Sequence, residues 1–276
     1  MSRSTPSAGA APLLAIRDLV VSIGAATLLE VTDLDVLRAE IVGLVGESGA
    51  GKSLLQSTIL GILPRHARTS GSVRFDGLEI VGASDSTMRG IRGRRIAVVL
   101  QAARAALTPT LRAETWIDRA LALHEVPGPE RATRLAHALD AVRLDADLLR
   151  RYPHQLSGGE AQRISIALAV ALRADLILAD EATSALDVTV QAEVGELFRE
   201  LREQEGTSFL LVSHDLALVA GLADRISIIA EGRIVEQGGP EVLRHPRDPV
   251  TAALVAATPA LPSARTSTPP PVEAEA

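Results

Sequence analysis

Short apolar runs alternate with stretches of helical periodicity along most of this chain, the pattern of an α/β fold with a largely parallel sheet. Residues 14–23 alternate apolar and polar roughly by twos and predict a half-exposed strand. Residues 41–45 are apolar throughout and run into a glycine-rich turn, which predicts a buried strand with a helix from 52 to about 60 behind it. Residues 73–75 read as a short strand ended by Asp76-Gly77, and 96–100 as a buried strand ending at Gln101. A mainly helical stretch from about 110 to 149 is interrupted at Pro127-Gly128-Pro129. Another helix runs to about residue 172 behind Ser157, whose hydroxyl suits an N-cap. Beyond it the pattern predicts a buried strand over 176–179 ending in Asp180-Glu181, and an amphipathic helix over 188–204. A strand over 209–212 then ends at Ser213-His214, and residues 226–235 form a hairpin around Glu231-Gly232.

The ends of the chain differ from this middle. Residues 1–12 are rich in Ser, Ala, Gly and Pro, and 260–276 are Pro-rich and repetitive, so both read as disordered tails around one domain over 13–259. No internal repeat is visible. No apolar run approaches the roughly 18–20 residues that cross a bilayer, and the N-terminus makes a poor signal peptide. The expected place is the cytoplasm, with any membrane contact made through a partner.

Composition removes several chemistries. With Cys 0, thiol catalysis, disulfide scaffolds and cysteine-held metals are excluded. Lys+Arg 28 against Asp+Glu 34 gives a net charge of -6, and aromatic residues are 2%, so a nucleic-acid binder built on a basic face with stacking platforms is not expected. The basic cluster Arg89, Arg92, Arg94 and Arg95 accordingly reads as a solvated loop before the strand at 96. His66, His124, His137, His154 and His245 show no ligand spacing and read as surface or capping residues. Among all the basic residues only Lys52 is a lysine, so position 52 needs a compact ammonium.

Its neighbours explain that need. Gly46-Glu47-Ser48-Gly49-Ala50-Gly51-Lys52-Ser53 matches G-x-x-x-x-G-K-[ST], a loop whose backbone N–H groups wrap a phosphate chain. The glycines admit conformations with no room for a side chain. The helix behind presents its N-terminal dipole to the same anion. Lys52 brings a point charge to the β/γ oxygens and Ser53 a hydroxyl to Mg²⁺. Asp180 and Glu181, at the carboxyl end of a parallel strand, lie where open sheets place ligand chemistry. Asp180 is expected in the Mg²⁺ shell and Glu181 beside the attacking water.

Ser157-Gly158-Gly159 follows the phosphate loop and precedes the two acids. In this order the chain resembles the ATP-binding subunits of ABC transporters, from about Leu14 to Pro259. That resemblance implies a P-loop NTPase (RecA-like) core with an antiparallel β subdomain and an inserted helical subdomain over about 102–162. It implies ATP and Mg²⁺ as cofactors, sandwiched in a head-to-tail dimer in which Ser157, Gly158 and Gly159 bind the γ-phosphate held by the opposite subunit. Gln101 matches the glutamine that links Mg²⁺ and water to the transmembrane partner. Ser184-Ala185-Leu186-Asp187 matches the loop that acts across the dimer interface, and His214 the histidine on the γ-phosphate.

The implied partners are a second ATPase subunit (a paralogue or self), two permease subunits and, indirectly, an extracytoplasmic solute-binding protein. They place the chain on the cytoplasmic face of the membrane, as an import ATPase. Arg151-Tyr152-Pro153-His154-Gln155, the stretch Asp187 to Ala192, and His245-Pro246 resemble the peptide/nickel importer branch, with a lean to the nickel type. Ile23 stands near the position where the family often stacks an aromatic residue on adenine. Ala102-Ala103 and Ala182 depart from the family pattern beside Gln101 and Glu181. The rival reading is a soluble ABC ATPase without transport, such as an accessory subunit of a carbon–phosphorus-lyase-like assembly.

Overall fold

The computed structural model describes residues 11–182 and 187–258. Most of both expected tails, Ser184, Ala185 and Leu186 lie outside the described residues.

Ten strands form one sheet in the order β5-β4-β1-β2-β10-β9-β3-β8-β7-β6. Strands β3 (Ile41–Val45), β6 (Ile96–Leu100), β7 (Leu176–Asp180), β8 (Ser208–Ser213) and β9 (Arg225–Ala230) form its parallel half. The other half is antiparallel, and here the largely parallel sheet expected from the residue pattern is corrected. It holds β1 (Leu14–Ile23), β2 (Ala26–Val36), β4 (Ala67–Phe75) and β5 (Leu78–Glu79). β10 (Arg233–Gly238) hairpins back on β9 and meets β2 at one parallel pairing, Arg233 with Glu30.

β2 escapes the sequence because its alternation changes phase: Leu29 and Val31 are buried, then Leu34 and Val36. β4 is longer than the expected 73–75 because its first half is polar on both faces and mostly exposed. The central parallel strands carry no such ambiguity, being apolar on both sides. Ile177 and Ala179 of β7 enter one core while Leu176 and Leu178 enter the other, and β8 divides Phe209 and Leu211 from Leu210 and Val212 in the same way.

One core lies against α1 (Lys52–Ile59), α2 (Asp85–Ile91) and the antiparallel strands. The opposite core takes α3 (Ala103–Ala106), α4 (Ala113–Leu123), α5 (Gly128–Ala141) and α6 (Gly158–Leu172), all set between β6 and β7. It also takes α7 (Val188–Glu205) and α8 (Leu216–Leu222), while α9 (Pro249–Ala257) closes the described chain. Side-chain contacts tie this inserted region to α7: Arg163 pairs with Glu193 at 2.6 Å, Arg143 pairs with Glu200, and His137 lies 3.2 Å from Glu205.

Two members of the arginine cluster, Arg92 and Arg95, are not solvated loop residues. Arg89 lies in α2, and Arg92 donates to the carbonyls of Leu60 and Gly61 and to Asp85. Arg95 pairs with Asp175 at 2.7 Å and Asp76 at 2.8 Å, with its guanidinium 4.9 Å from the Phe75 ring centroid. Arg95 thus joins the antiparallel and parallel halves and Arg92 joins α2 to the end of α1, while Arg89 and Arg94 stay exposed as expected.

Candidate functional site

β3 ends at Val45 and α1 starts at Lys52, so the six residues between must turn through a tight loop at the carboxyl edge of the sheet. Gly46 is compulsory: a Cβ there would stand 2.2 Å from the carbonyl oxygen of Ile229. Gly49 and Gly51 sit at φ 84° and 108°, in the left-handed region that glycine tolerates. The tip of the β9–β10 hairpin braces this loop from the side. The N–H of Gly232 donates to the carbonyl of Ala50 at 2.9 Å, and the Gly232 carbonyl accepts from the N–H of Glu30 at 2.7 Å. Glu47, Ser48, Gly49 and Ser53 are exposed, while Ala50 is buried.

Lys52 turns back into the loop. Its ammonium donates to the carbonyls of Gly46 and Glu47, both at 2.8 Å, with the residue only 8% exposed. Burial pushes this ammonium below its usual pKa, against the pull of Glu181 and Asp180. Asp180 closes β7, in register with Leu100 of β6 and Val212 of β8. Burial raises the Asp180 carboxyl above the usual carboxylate range and Glu181 adds to this, while Lys52 and Gln56 oppose it. A cation beside this acid therefore replaces solvation that the fold removes.

Glu181 follows at φ 46°, an uncommon backbone state for a non-glycine residue. Its N–H donates to the carbonyl of Val212 at 2.9 Å, which turns the chain out of the sheet. One carboxylate oxygen lies 3.0 Å from Nδ1 of His214. His214 leaves the end of β8, where Asp215 caps α8 by accepting from the N–H of Leu218 at 3.0 Å. The fold thus assembles Lys52, Asp180, Glu181 and His214 from the ends of three neighbouring parallel strands. Gln101 is exposed in the turn beyond Leu100, one residue past the partner of Asp180.

The remaining expected residues lie apart from this cluster. Ile23 is half-buried at the end of β1, paired with Ala26 and Ala67. Ser157 caps α6: its hydroxyl accepts from the N–H of Glu160 at 3.1 Å, and the Glu160 carboxylate accepts from the N–H of Ser157 at 2.7 Å. The hydroxyl proton of Ser157 is not used in that pair of bonds. Gly158 is exposed, and a Cβ on Gly159 would stand 2.9 Å from Val190 at the start of α7. Asp187 caps α7, accepting from the N–H of Val190 at 3.0 Å. Among the described residues, none of these contacts reaches the phosphate loop.

The residues fit the groups the sequence suggests. The first-turn N–H groups of α1 have no intrahelical acceptor, the state in which a helix start takes an anion. Ser53, Asp180 and Gln101 offer oxygen donors, the set a hard divalent cation prefers. Among the described residues no cluster of three or more His, Cys, Asp or Glu could hold a metal. Two cavities of about 530 and 520 Å³ lie elsewhere, beside His245 and beside His137. The loop itself opens to solvent. Two contributors escaped the sequence reading: Gln56, one helical turn beyond Lys52, and Gly232, seen only as a hairpin turn.

Comparison with known proteins places the chain in a family. Residues 29–184 match the family described as ABC transporter. The chain is 41% identical over 258 residues to the peptidoglycan transport ATP-binding protein YejF of Agrobacterium fabrum, covering 90% of this chain and 47% of that protein. It is 38% identical to the oligopeptide transport ATP-binding protein OppD of Mycobacterium tuberculosis, over 92% of this chain and 43% of that one. The dipeptide transport ATP-binding protein DppD of Bacillus subtilis is 36% identical, over 90% and 77% respectively. The chain thus spans less than half the length of the first two. Among solved structures, cbiO1 of Clostridium perfringens superposes with a TM-score of 0.77 at 23% identity, over 86% of this chain and 92% of that one. That is a likeness of fold. The ATP-binding cassette MJ0796, a dimer bound to ADP and Pi, superposes with a TM-score of 0.71 at 26% identity, over 82% and 98%.

Proposed function

The chain belongs to the ABC transporter family, and from that premise we propose that it is the ATP-binding and ATP-hydrolysing subunit of a solute importer. The observation that carries this is the joining of a lysine-centred phosphate loop to an acid pair whose outer member is held by a histidine. The phosphate chain of ATP lies along the N–H groups of residues 46–53, and Lys52 exchanges its two carbonyl partners for phosphate oxygens. Such an exchange swaps neutral acceptors for charged ones, which strengthens each hydrogen bond. Ser53, Asp180 and Gln101 would hold Mg²⁺, which when bound neutralises charge on the β- and γ-phosphates.

Glu181 takes a proton from the attacking water. His214 fixes the carboxylate through one oxygen at 3.0 Å, and the strained φ of Glu181 aims it away from the sheet. The exposed phosphate loop and the distant Ser157-Gly158-Gly159 turn supply two halves of one site. A second subunit, placed head to tail, brings its own Ser157 hydroxyl and Gly158–Gly159 backbone to this loop, with Asp187 near the seam. Hydrolysis then reopens the pair.

Two permease subunits receive that motion through the region of Gln101, and an extracytoplasmic solute-binding protein delivers the solute. The chain sits on the cytoplasmic face of the membrane; among the described residues no helix is long and apolar enough to cross it. The names of the relatives favour peptides as cargo over the nickel lean of the sequence. Co-expression with a neighbouring permease tests the proposal. Import requires that the chain sediment with membranes only when the permease is present, and that Lys52→Ala abolish ATP hydrolysis by the complex. Hydrolysis that persists while the chain stays soluble beside its permease rejects import and favours the accessory-ATPase reading.

A further inference from the structure

We infer that Gln56 is a positioning residue for Asp180: from the second turn of α1 its amide holds both oxygens of that carboxylate and sets how well the acid binds a divalent cation. The inference rests on the reading above, in which Lys52, Ser53 and Asp180 hold a nucleotide with Mg²⁺. Gln56 lies four residues after Lys52 in α1, so the two side chains share one face of the helix. Both are buried, with Gln56 6% exposed, and a polar group so placed needs a partner. Lys52 has the loop carbonyls. Gln56 has Asp180, whose two carboxylate oxygens lie 3.3 and 3.2 Å from Nε2 once the amide turns its N–H groups toward the acid. The opposite orientation would set an amide oxygen against a carboxylate with no proton between them.

One amide nitrogen thus spans both oxygens of Asp180. The last torsion of an aspartate is broad and weakly restrained by its own chemistry, so this two-point hold fixes the plane of the carboxylate. It also links that plane to the helix carrying Lys52 and Ser53. The carboxylate and the phosphate loop therefore keep their relative positions whether or not a cation is between them. Such preorganisation strengthens cation binding, because less ordering remains to be done when the ligand arrives.

Gln56→Met keeps the length and helix propensity of the side chain and removes the amide. The readout is the affinity of the full chain for a fluorescent ADP analogue, measured in EDTA and again in saturating Mg²⁺. In EDTA the variant is expected within about twofold of wild type, the margin that intact folding allows. The gain in affinity on adding Mg²⁺ is expected to fall about fivefold, the worth of one typical hydrogen bond. If Gln56→Met does not fold, Gln56→Asn, one methylene shorter, reads the same ratio. An unchanged Mg²⁺ gain in the folded variant, or no Mg²⁺ gain in wild type, overturns the inference. Absence of nucleotide binding by wild type overturns the functional reading instead.

Discussion

At position 181 a glutamate is held in a left-handed backbone state that costs energy in almost any other setting. The N–H bond to Val212 holds that backbone, and the contact with His214 holds one carboxylate oxygen. A positioned base contributes about 10²–10⁴-fold to a rate. Glu181→Gln preserves shape and the histidine contact while removing the basic oxygen. Turnover of the assembled complex is expected to fall by about 10²–10⁴-fold with ATP binding retained. Steady-state hydrolysis beside equilibrium binding checks this, and unchanged turnover would move the base to another residue. Lys52 and the glycines were legible as a motif because their chemistry is local. Gln56 was not, because its meaning depends on Asp180, more than a hundred residues away.

Among the elements, β5 is only two residues long, yet it holds the far edge of the sheet through Glu79. Its carboxylate accepts from the hydroxyl of Ser72 and from the N–H groups of Val73 and Val81 at 2.8 and 3.1 Å. Burial pushes this carboxyl upward, but the bonds from Ser72, Val73, Val81 and Arg74 outweigh it and hold the group below its usual range. A depressed carboxyl contributes stability that is present above the unfolded pKa and lost as pH falls through the folded one. Glu79→Gln is therefore expected to lower the melting temperature at pH 7, with the difference closing below about pH 4. A gap that persists in acid would assign the effect to packing rather than charge. No pattern announced β5, which has two residues and pairs only with the end of β4, or the polar first half of β4, whose pairing is decided by β1. By contrast α6 was readable from its start, because a serine at the head of a helical run is a local N-cap signal.

For the molecule as a whole, the proposed site has one half at the carboxyl edge of the parallel strands and the other at the start of α6. On the proposed reading a second copy or a paralogue brings the two halves together. A Glu181→Gln preparation loaded with ATP and Mg²⁺ is expected to double its mass in light scattering, alone or with a cognate subunit. The ADP-loaded protein is expected to stay monomeric. Ser157→Ala should weaken this pairing while lowering helix stability by only about 1 kcal/mol, the usual worth of an N-cap. Failure of the loaded protein to pair with itself and with every cognate subunit would reject the two-chain site.

The sequence by itself determined the phosphate loop, the acids behind a buried strand and the capped glycine turn. Each is written in residues adjacent along the chain, and short-range backbone chemistry limits what such runs can form. The tertiary structure alone decided that Ile229 forbids a side chain at Gly46, that Gly232 braces Ala50, and that Gln56 faces Asp180. It also turned Arg92 and Arg95 from members of a solvated run into struts between elements. These are contacts between distant positions, fixed only when strand order and register bring their elements together, and no local periodicity encodes that order.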